Sequence, residues 1–367
     1  MKKTLVTLAI RTSRRAEKIK EELESNGIKT VIQNINIDVP AVGVGVRIRI
    51  AESDLPRALR IVEEVEKAWE TKKDDDAKKQ NFVLIPIDFA DFVQKTIDFG
   101  FDFAHALQAE IVLLHVYSLP PFSISTFRDT DIYTLINSEQ LRRLTAMAEA
   151  DKKNFENLLK KRITEGELPD VKFSIELLEG VADEEIIDYC KRNNPRLVVM
   201  GTHGKKLSTE MIGSVTGEVL DSCVSPVFAV PIQSRVMQTD DIQRITFLTD
   251  FDQKDLIAID ALFNLFKGRQ LEIFFLHISE KKDKWNEVML EGIKSYFSTH
   301  YENIATNYEI LNSQSRTKTL TDYLNSNRID LLAFNAKKRN LFSRLFNPSL
   351  AYKMVLGADT PMLVTHI

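Results

Sequence analysis

One stretch of this chain places glycines and hydroxyls where they could hold an anion. Gly201-Thr202-His203-Gly204 is followed by eight residues and then Gly213-Ser214-Val215-Thr216. Glycine lets a backbone come close to a phosphate and admits positive φ. Ser214 and Thr216 add hydroxyl donors and open a short helix expected over Gly217–Ser222, whose N-terminal amides and dipole favour negative charge. Upstream, Pro86-Ile87-Asp88 ends an apolar run. An acidic side chain there could accept from a ribose hydroxyl or a base amine. It could equally cap the next helix, which is the commoner role for such a residue. His203 lies inside the glycine stretch and could touch a phosphate, although an exposed loop histidine is the commoner case. His115 and His277 each end an apolar run and read as strand-end packing. His105, His300 and His366 have no clustered partners. No Ser/His/Asp order and no metal-ligand spacing stands out, so no catalytic residue and no metal site is expected. Cys190 and Cys223 stand alone and read as reduced thiols.

The elements that must position these residues come in two related blocks. One opens with Phe82-Val83-Leu84-Ile85-Pro86-Ile87-Asp88 and the other with Ile245-Thr246-Phe247-Leu248-Thr249-Asp250. A helix follows each, then a second apolar run, Ile111–Val116 or Ile273–Ile278. Asp88 to His115 is 27 positions, and so is Asp250 to His277. Arg196–Gly201 parallels Asp330–Asn335, and Pro226–Pro231 parallels Pro361–His366. Matching registers across helix and strand mark an internal repeat. The second block is shorter, and the missing part is expected around Ser118–Leu144. The aromatic residues Phe89, Phe92, Phe99, Phe101 and Phe103 lie on or beside a helix and read as core. Nearly continuous apolar strands alternating with helices indicate α/β domains with a doubly wound parallel sheet covered on both faces. Such sheets bind ligands at the carboxyl ends of their strands.

Ahead of the repeat, residues 1–69 read as a small βαββα module. Strands are expected at Thr4–Ile10, Lys29–Ile35 and Val44–Ile50, and helices at Ser13–Asn26 and Asp54–Lys67, with Ser13 as N-cap and Gly27 after the first helix. Leu55, Leu59, Val62 and Val65 share one face of the second helix. Residues 70–80 carry Lys72-Lys73-Asp74-Asp75-Asp76 and read as a charged tether. The expected boundaries are therefore 1–69, 70–80, 81–235 and 240–367. The net charge of −4 gives no general attraction to nucleic acid or anionic membrane. The N-terminal apolar run is too short and too interrupted by arginines for a signal peptide. No run approaches a membrane span, so a cytoplasmic address is expected.

Residues 81–231 resemble the universal stress protein family in its ATP-binding subtype. The resemblance rests on Gly201-x-x-Gly204, Gly213-Ser214 and the closing stretch through Cys223-Val224-Ser225-Pro226-Val227. The family spacer is nine residues, one more than here, and this one contains Lys205-Lys206. Carried over by position, the resemblance implies that Asp88 and Val116 hold adenine and ribose edges and that Pro86 shapes the adjoining turn. It implies that Met200 and Gly201 lie beside the ribose and phosphates, and that Gly204, Gly213, Ser214, Val215 and Thr216 wrap the phosphates. The implied ligand is ATP, with or without magnesium, AMP and ADP being the alternatives.

The second of the two related blocks, 240–367, resembles the same family more weakly. Counted forward by 134, Gly201, Gly204, Gly213 and Ser214 become Asn335, Lys338, Asn347 and Pro348, while Asp250 persists. This copy is expected to have lost tight nucleotide binding. Family members pair through their last strand, which implies an internal pseudo-dimer across Val227–Pro231 and Met362–Thr365, and a homodimer is also compatible. Residues 1–69 resemble small ferredoxin-like modules of signal-transducing type. The functions implied are nucleotide-dependent stress signalling through a protein partner, a non-binding scaffold, or slow ATP hydrolysis.

Overall fold

The computed structural model describes residues 5–11, 13–34, 46–71, 81–89, 94–117, 130–202, 214–250, 253–280, 284–300, 304–336 and 359–366. The N-terminal module runs β1 (Leu5–Arg11), α1 (Ser13–Ser25), β2 (Thr30–Asn34), β3 (Val46–Ala51) and α2 (Leu55–Thr71). Its sheet is antiparallel with order β1-β3-β2. Ala16, Ile19 and Leu23 of α1 meet Leu8, Ile48, Ile50, Ala58, Leu59 and Val62 in one core, with Leu55 and Val65 partly buried against it. That spacing is the amphipathic period the sequence carries. Gly27, at φ +75°, stops α1: its amide donates to Glu24 and the Ile28 amide to Leu23. Both bonds satisfy end carbonyls, and buried Ile28 seals the turn. Ser13 is itself helical rather than a cap, and α2 continues four residues beyond the expected Lys67.

The rest forms one ten-stranded sheet. The first half contains β4 (Phe82–Ile87), α3 (Gln94–Ala106), β5 (Glu110–Tyr117), α4 (Thr130–Thr164), β6 (Phe173–Glu179), α5 (Ala182–Asn193), β7 (Leu197–Gly201), α6 (Ser214–Ser222) and β8 (Val227–Val230). The second half contains β9 (Arg244–Leu248), α7 (Gln253–Leu265), β10 (Glu272–Ser279), α8 (Lys284–His300), β11 (Ala305–Asn312), α9 (Arg316–Ser326), β12 (Leu331–Asn335) and β13 (Met362–Thr365). The strand order is β11-β10-β9-β12-β13-β8-β7-β4-β5-β6. Read outward from the middle, each half has the same order, and all pairings within a half are parallel. The halves meet at β8 and β13, which pair antiparallel, Phe228 opposite Leu363.

Side-chain alternation splits the core into two layers. Val83, Ile85 and Ile87 of β4 enter the layer that holds Phe99, Phe101 and Phe103 of α3. Phe82 and Leu84 enter the other, with Tyr189 and Cys190 of α5. Both layers run through both halves. At the junction Phe228 lies 4.8 Å from the Phe103 ring, and Phe103 lies 5.7 Å from Phe266 of the second half. Phe99, Phe101 and Phe103 of the aromatic stretch are core, Phe89 precedes α3 and is partly buried, and Phe92 lies outside the described residues. The shortening of the second half is not a missing helix. Between its second and third strands it keeps α8 (17 residues), where the first half has α4 (35 residues).

Candidate functional site

In the first half the strand order turns between β4 and β7, so the carboxyl ends of β4, β5 and β7 flank one crevice. Asp88 follows β4 directly and is half-buried. Next to it Phe89 adopts φ +55°, a left-handed backbone that costs a phenylalanine about 1–3 kcal/mol. Its ring offsets that cost by packing 4.3 Å from His115 and 5.5 Å from Phe155. His115 lies opposite Ile87 in the sheet and bonds the Ile87 carbonyl through Nδ1 at 2.9 Å. The histidine therefore fixes the strand end that carries Asp88. In the second half His277 Nδ1 bonds the Thr249 carbonyl at 2.8 Å, just before Asp250. The equal 27-residue spacings thus correspond to the same hydrogen bond made twice.

Across the crevice, β7 ends at Gly201, and the Thr202 amide donates to the Val230 carbonyl. The helix α6 starts at Ser214, three residues before the expected Gly217, so Ser214, Val215 and Thr216 form its first turn. Thr216 is buried, and its hydroxyl donates to the Gly201 carbonyl at 2.7 Å. The expected phosphate donor thus gives its proton to the backbone and ties the α6 N-terminus to the end of β7. What this turn retains for an anion is its outward-facing amides and its dipole. Met200 buries its side chain in the same layer that Val116 and Val215 pack against, so only its main chain can border the crevice. Pro86 is partly exposed in β4. The structure thus brings Asp88, Val116, Gly201, Val215 and Thr216 to one end of the sheet. Gly204, Gly213 and His203 lie outside the described residues, and so does the side chain of Ser214.

In the second half Asp250, the counterpart of Asp88, pairs with an arginine of the same chain. Arg316, the first residue of α9, donates to the Asp250 carboxylate at 2.6 Å. Asp255 accepts from the Asp250 amide at 3.0 Å and from the Thr249 hydroxyl at 2.7 Å. Asn335, in the place of Gly201, faces Thr365 at 3.4 Å. Sequence reasoning missed Arg316, since nothing local marks an arginine 66 positions from its carboxylate. Backbone bonds agree with the pairing of the last strands read from the sequence. Thr202–Val230 and Ala336–Thr365 are equivalent backbone bonds, so the offset grows from 134 to 135 before the last strand. The added residue falls between 337 and 361, so Lys338, Asn347 and Pro348, which lie outside the described residues, are the counterparts of Gly204, Gly213 and Ser214 at an offset of 134 and not at 135. Either way no glycine occurs from Ala336 to Leu356.

The fold shifts the proton affinity of several buried groups. Tyr189 and Tyr323 are pushed above the usual phenol range by burial and by the carboxylates of Glu176 and Glu309. The buried Cys190 thiol is pushed up by its hydrogen bond with Cys223 and by burial, and the Cys223 thiol is drawn down by that same contact. Among the described residues no group of three or more His, Cys, Asp or Glu could hold a metal ion, and no helix is long and apolar enough to cross a membrane.

Residues 81–231 match the model of the universal stress protein family. The chain is 28% identical over 163 residues to a universal stress protein of Methanocaldococcus jannaschii, covering 40% of this chain and 93% of that protein. A second universal stress protein of the same organism is 27% identical over 149 residues, covering 40% and 80%. The solved structure of a universal stress protein from Archaeoglobus fulgidus superposes with a TM-score of 0.54 at 18% identity, covering 78% of this chain and 97% of that one. That coverage reaches beyond residues 81–231, so the likeness of fold includes part of the second half.

Proposed function

We propose that the first half binds an adenine nucleotide, ATP foremost, at the carboxyl ends of β4, β5 and β7, and that its occupancy is read by a protein partner in a cytoplasmic stress response. The observation that carries this reading is the tie between Thr216 and Gly201. It ties the first turn of a nine-residue helix to the end of β7, the strand beside β4, whose end carries Asp88. Helix amides and dipole suit phosphates, and a strand-end carboxylate suits a ribose or base edge. The family match over 81–231 supports the same ligand class. In this reading Asp88 and Val116 meet the adenine and ribose edges. Pro86, Met200 and Gly201 shape the floor, and Gly204, Gly213, Ser214, Val215 and Thr216 hold the phosphates through their backbone. The second half is a related copy that completes an internal pseudo-dimer across β8 and β13, and residues 1–69 are a ferredoxin-like signalling module.

Calorimetric titration of the full chain with ATP, with and without magnesium, tests the proposal. Saturable heat at one site per chain is expected, with loss of binding in Gly213→Val. No heat with the wild-type chain refutes it. The Arg316–Asp250 pair favours a second reading for residues 240–367, a scaffold that needs no ligand to complete its fold.

A further inference from the structure

The chain has two cysteines, and the fold brings them together. Cys190 lies near the end of α5, and Cys223 follows α6 directly. They are 33 positions apart, and α5 packs beside α6. Both are buried in the same core layer, and the Cys190 thiol donates a hydrogen bond to the Cys223 sulfur. The backbone amides of Ser225 and Val224 donate to the same sulfur. The Val224 side chain is exposed, so the turn that holds this sulfur reaches the surface. The hydroxyls of Ser222 and Ser225, which flank Cys223 in the chain, are buried and meet no hydrogen-bond partner among the described residues. Unused donors thus lie within two residues of the sulfur. Packing alone does not call for a thiol here. The Glu185 amide donates to Val181 and the Thr319 amide to Ser315, so α5 and α9 start alike and Cys190 corresponds to Leu324, which is buried in the same layer.

We infer that Cys190 and Cys223 are a peroxide-responsive pair that closes into an intramolecular disulfide and so staples α6 to α5. The Cys223 sulfur attacks one oxygen of a hydroperoxide. An S–O bond forms, the O–O bond breaks, and the other oxygen leaves as water or an alcohol with the thiol proton. The Cys190 sulfur then attacks the Cys223 sulfur. The S–S bond forms, the S–O bond breaks, and the hydroxyl leaves as water with the Cys190 proton. The two sulfurs lose two electrons, and the peroxide oxygens gain them. The order follows from the contacts. The bond from Cys190 and the Ser225 and Val224 amides favour a Cys223 thiolate against the opposing effect of burial. The same bond and burial keep the proton on Cys190, which therefore acts second. An S–S bond is about 2.0 Å long, so closure from hydrogen-bond contact asks only for a short approach of two side chains. The loop it closes contains β7 and α6, and with them Gly201 and Thr216. The pair stands independently of the nucleotide reading.

The test uses the full chain, folded and reduced, with hydrogen peroxide as the probe. Remaining thiols are alkylated, and the intact chain and its unreduced peptides are read by mass spectrometry. The expected product is a chain lighter by two hydrogen atoms, with both thiols lost together and the peptides of Cys190 and Cys223 linked. Dithiothreitol is expected to reverse the change. Survival of both thiols in the folded chain, at peroxide levels that oxidise the urea-unfolded chain, overturns the inference. So does a link formed only between chains. Hydrogen exchange of the α6 amides is expected to slow at least about threefold in the cross-linked chain, and equal exchange in the two redox states overturns the stapling. Two variants test the order of attack. In Cys190→Ser, Cys223 is expected to take up an oxygen that a 1,3-diketone traps, at least about tenfold faster than Cys190 does in Cys223→Ser. Equal rates overturn the assignment of Cys223 as the attacking sulfur. The wild-type measurements need neither variant to fold.

Discussion

Replacing Thr216 by valine isolates the bond that aims α6. Valine keeps the volume and the β-branched shape, so the buried packing of this position is preserved and only the hydroxyl is lost. The lost interaction is a 2.7 Å bond to the Gly201 carbonyl at a buried site. Removing a donor from such a carbonyl costs about 1–2 kcal/mol, against about 0.5 kcal/mol for an exposed bond. The bond acts on one helix, so a global unfolding free energy is not its most direct measure. Local opening is. Hydrogen exchange of the α6 backbone amides, followed by mass spectrometry of the peptides that span it, is expected to speed up about 5- to 30-fold in Thr216→Val. Thr216→Ser keeps the donor and is expected to stay within about threefold of wild type. ATP affinity is expected to fall by no more than the same factor as the exchange protection, because the helix must first be returned to its competent position. Unchanged exchange in the valine variant, within about twofold, refutes the claim that this hydroxyl fixes the helix.

Two further outcomes follow from other contacts. Arg15 of α1 donates to Asp188 and, at 3.4 Å, to the buried carboxylate of Glu184 on α5, joining the N-terminal module to the first half. A double-mutant cycle of Arg15→Ala with Asp188→Ala is expected to give a coupling of about 0.5–1 kcal/mol, and additivity within about 0.3 kcal/mol would show that the modules are not joined there. Tyr189 and Tyr323 hold their protons more tightly folded than unfolded because burial and neighbouring carboxylates disfavour the phenolate. Their contribution is fully present below the unfolded phenol pKa, near 10, and is lost as pH rises toward the folded value, by up to about 1.4 kcal/mol per pH unit for each. Urea midpoints are expected to drop above pH about 10 and to drop less steeply in Tyr189→Phe; parallel curves would refute this.

The positions that the sequence reveals are those whose partners are near in the chain or repeated within it. Nearly continuous apolar runs mark the strands of the repeat, and the 3.6 period marks α1 and α2, with boundaries good to a few residues. The equal Asp–His spacings expose the relationship of the two blocks, and the absence of glycine from Ala336 to Leu356 is plain in the letters alone. Asp88 at a strand end is legible because apolar runs stop there. Tertiary structure decides what these groups touch. Thr216 reads as a phosphate donor until its hydroxyl is seen on Gly201, 15 positions away. Arg316 carries no local sign that it meets Asp250, 66 positions away. Arg15 gives no local sign of meeting Glu184, 169 positions on. Periodicity and turn chemistry are local properties of a chain. A side-chain hydrogen bond between distant segments depends on which strand ends the sheet order brings together, and only the β8–β13 junction and the crossover helices set that order.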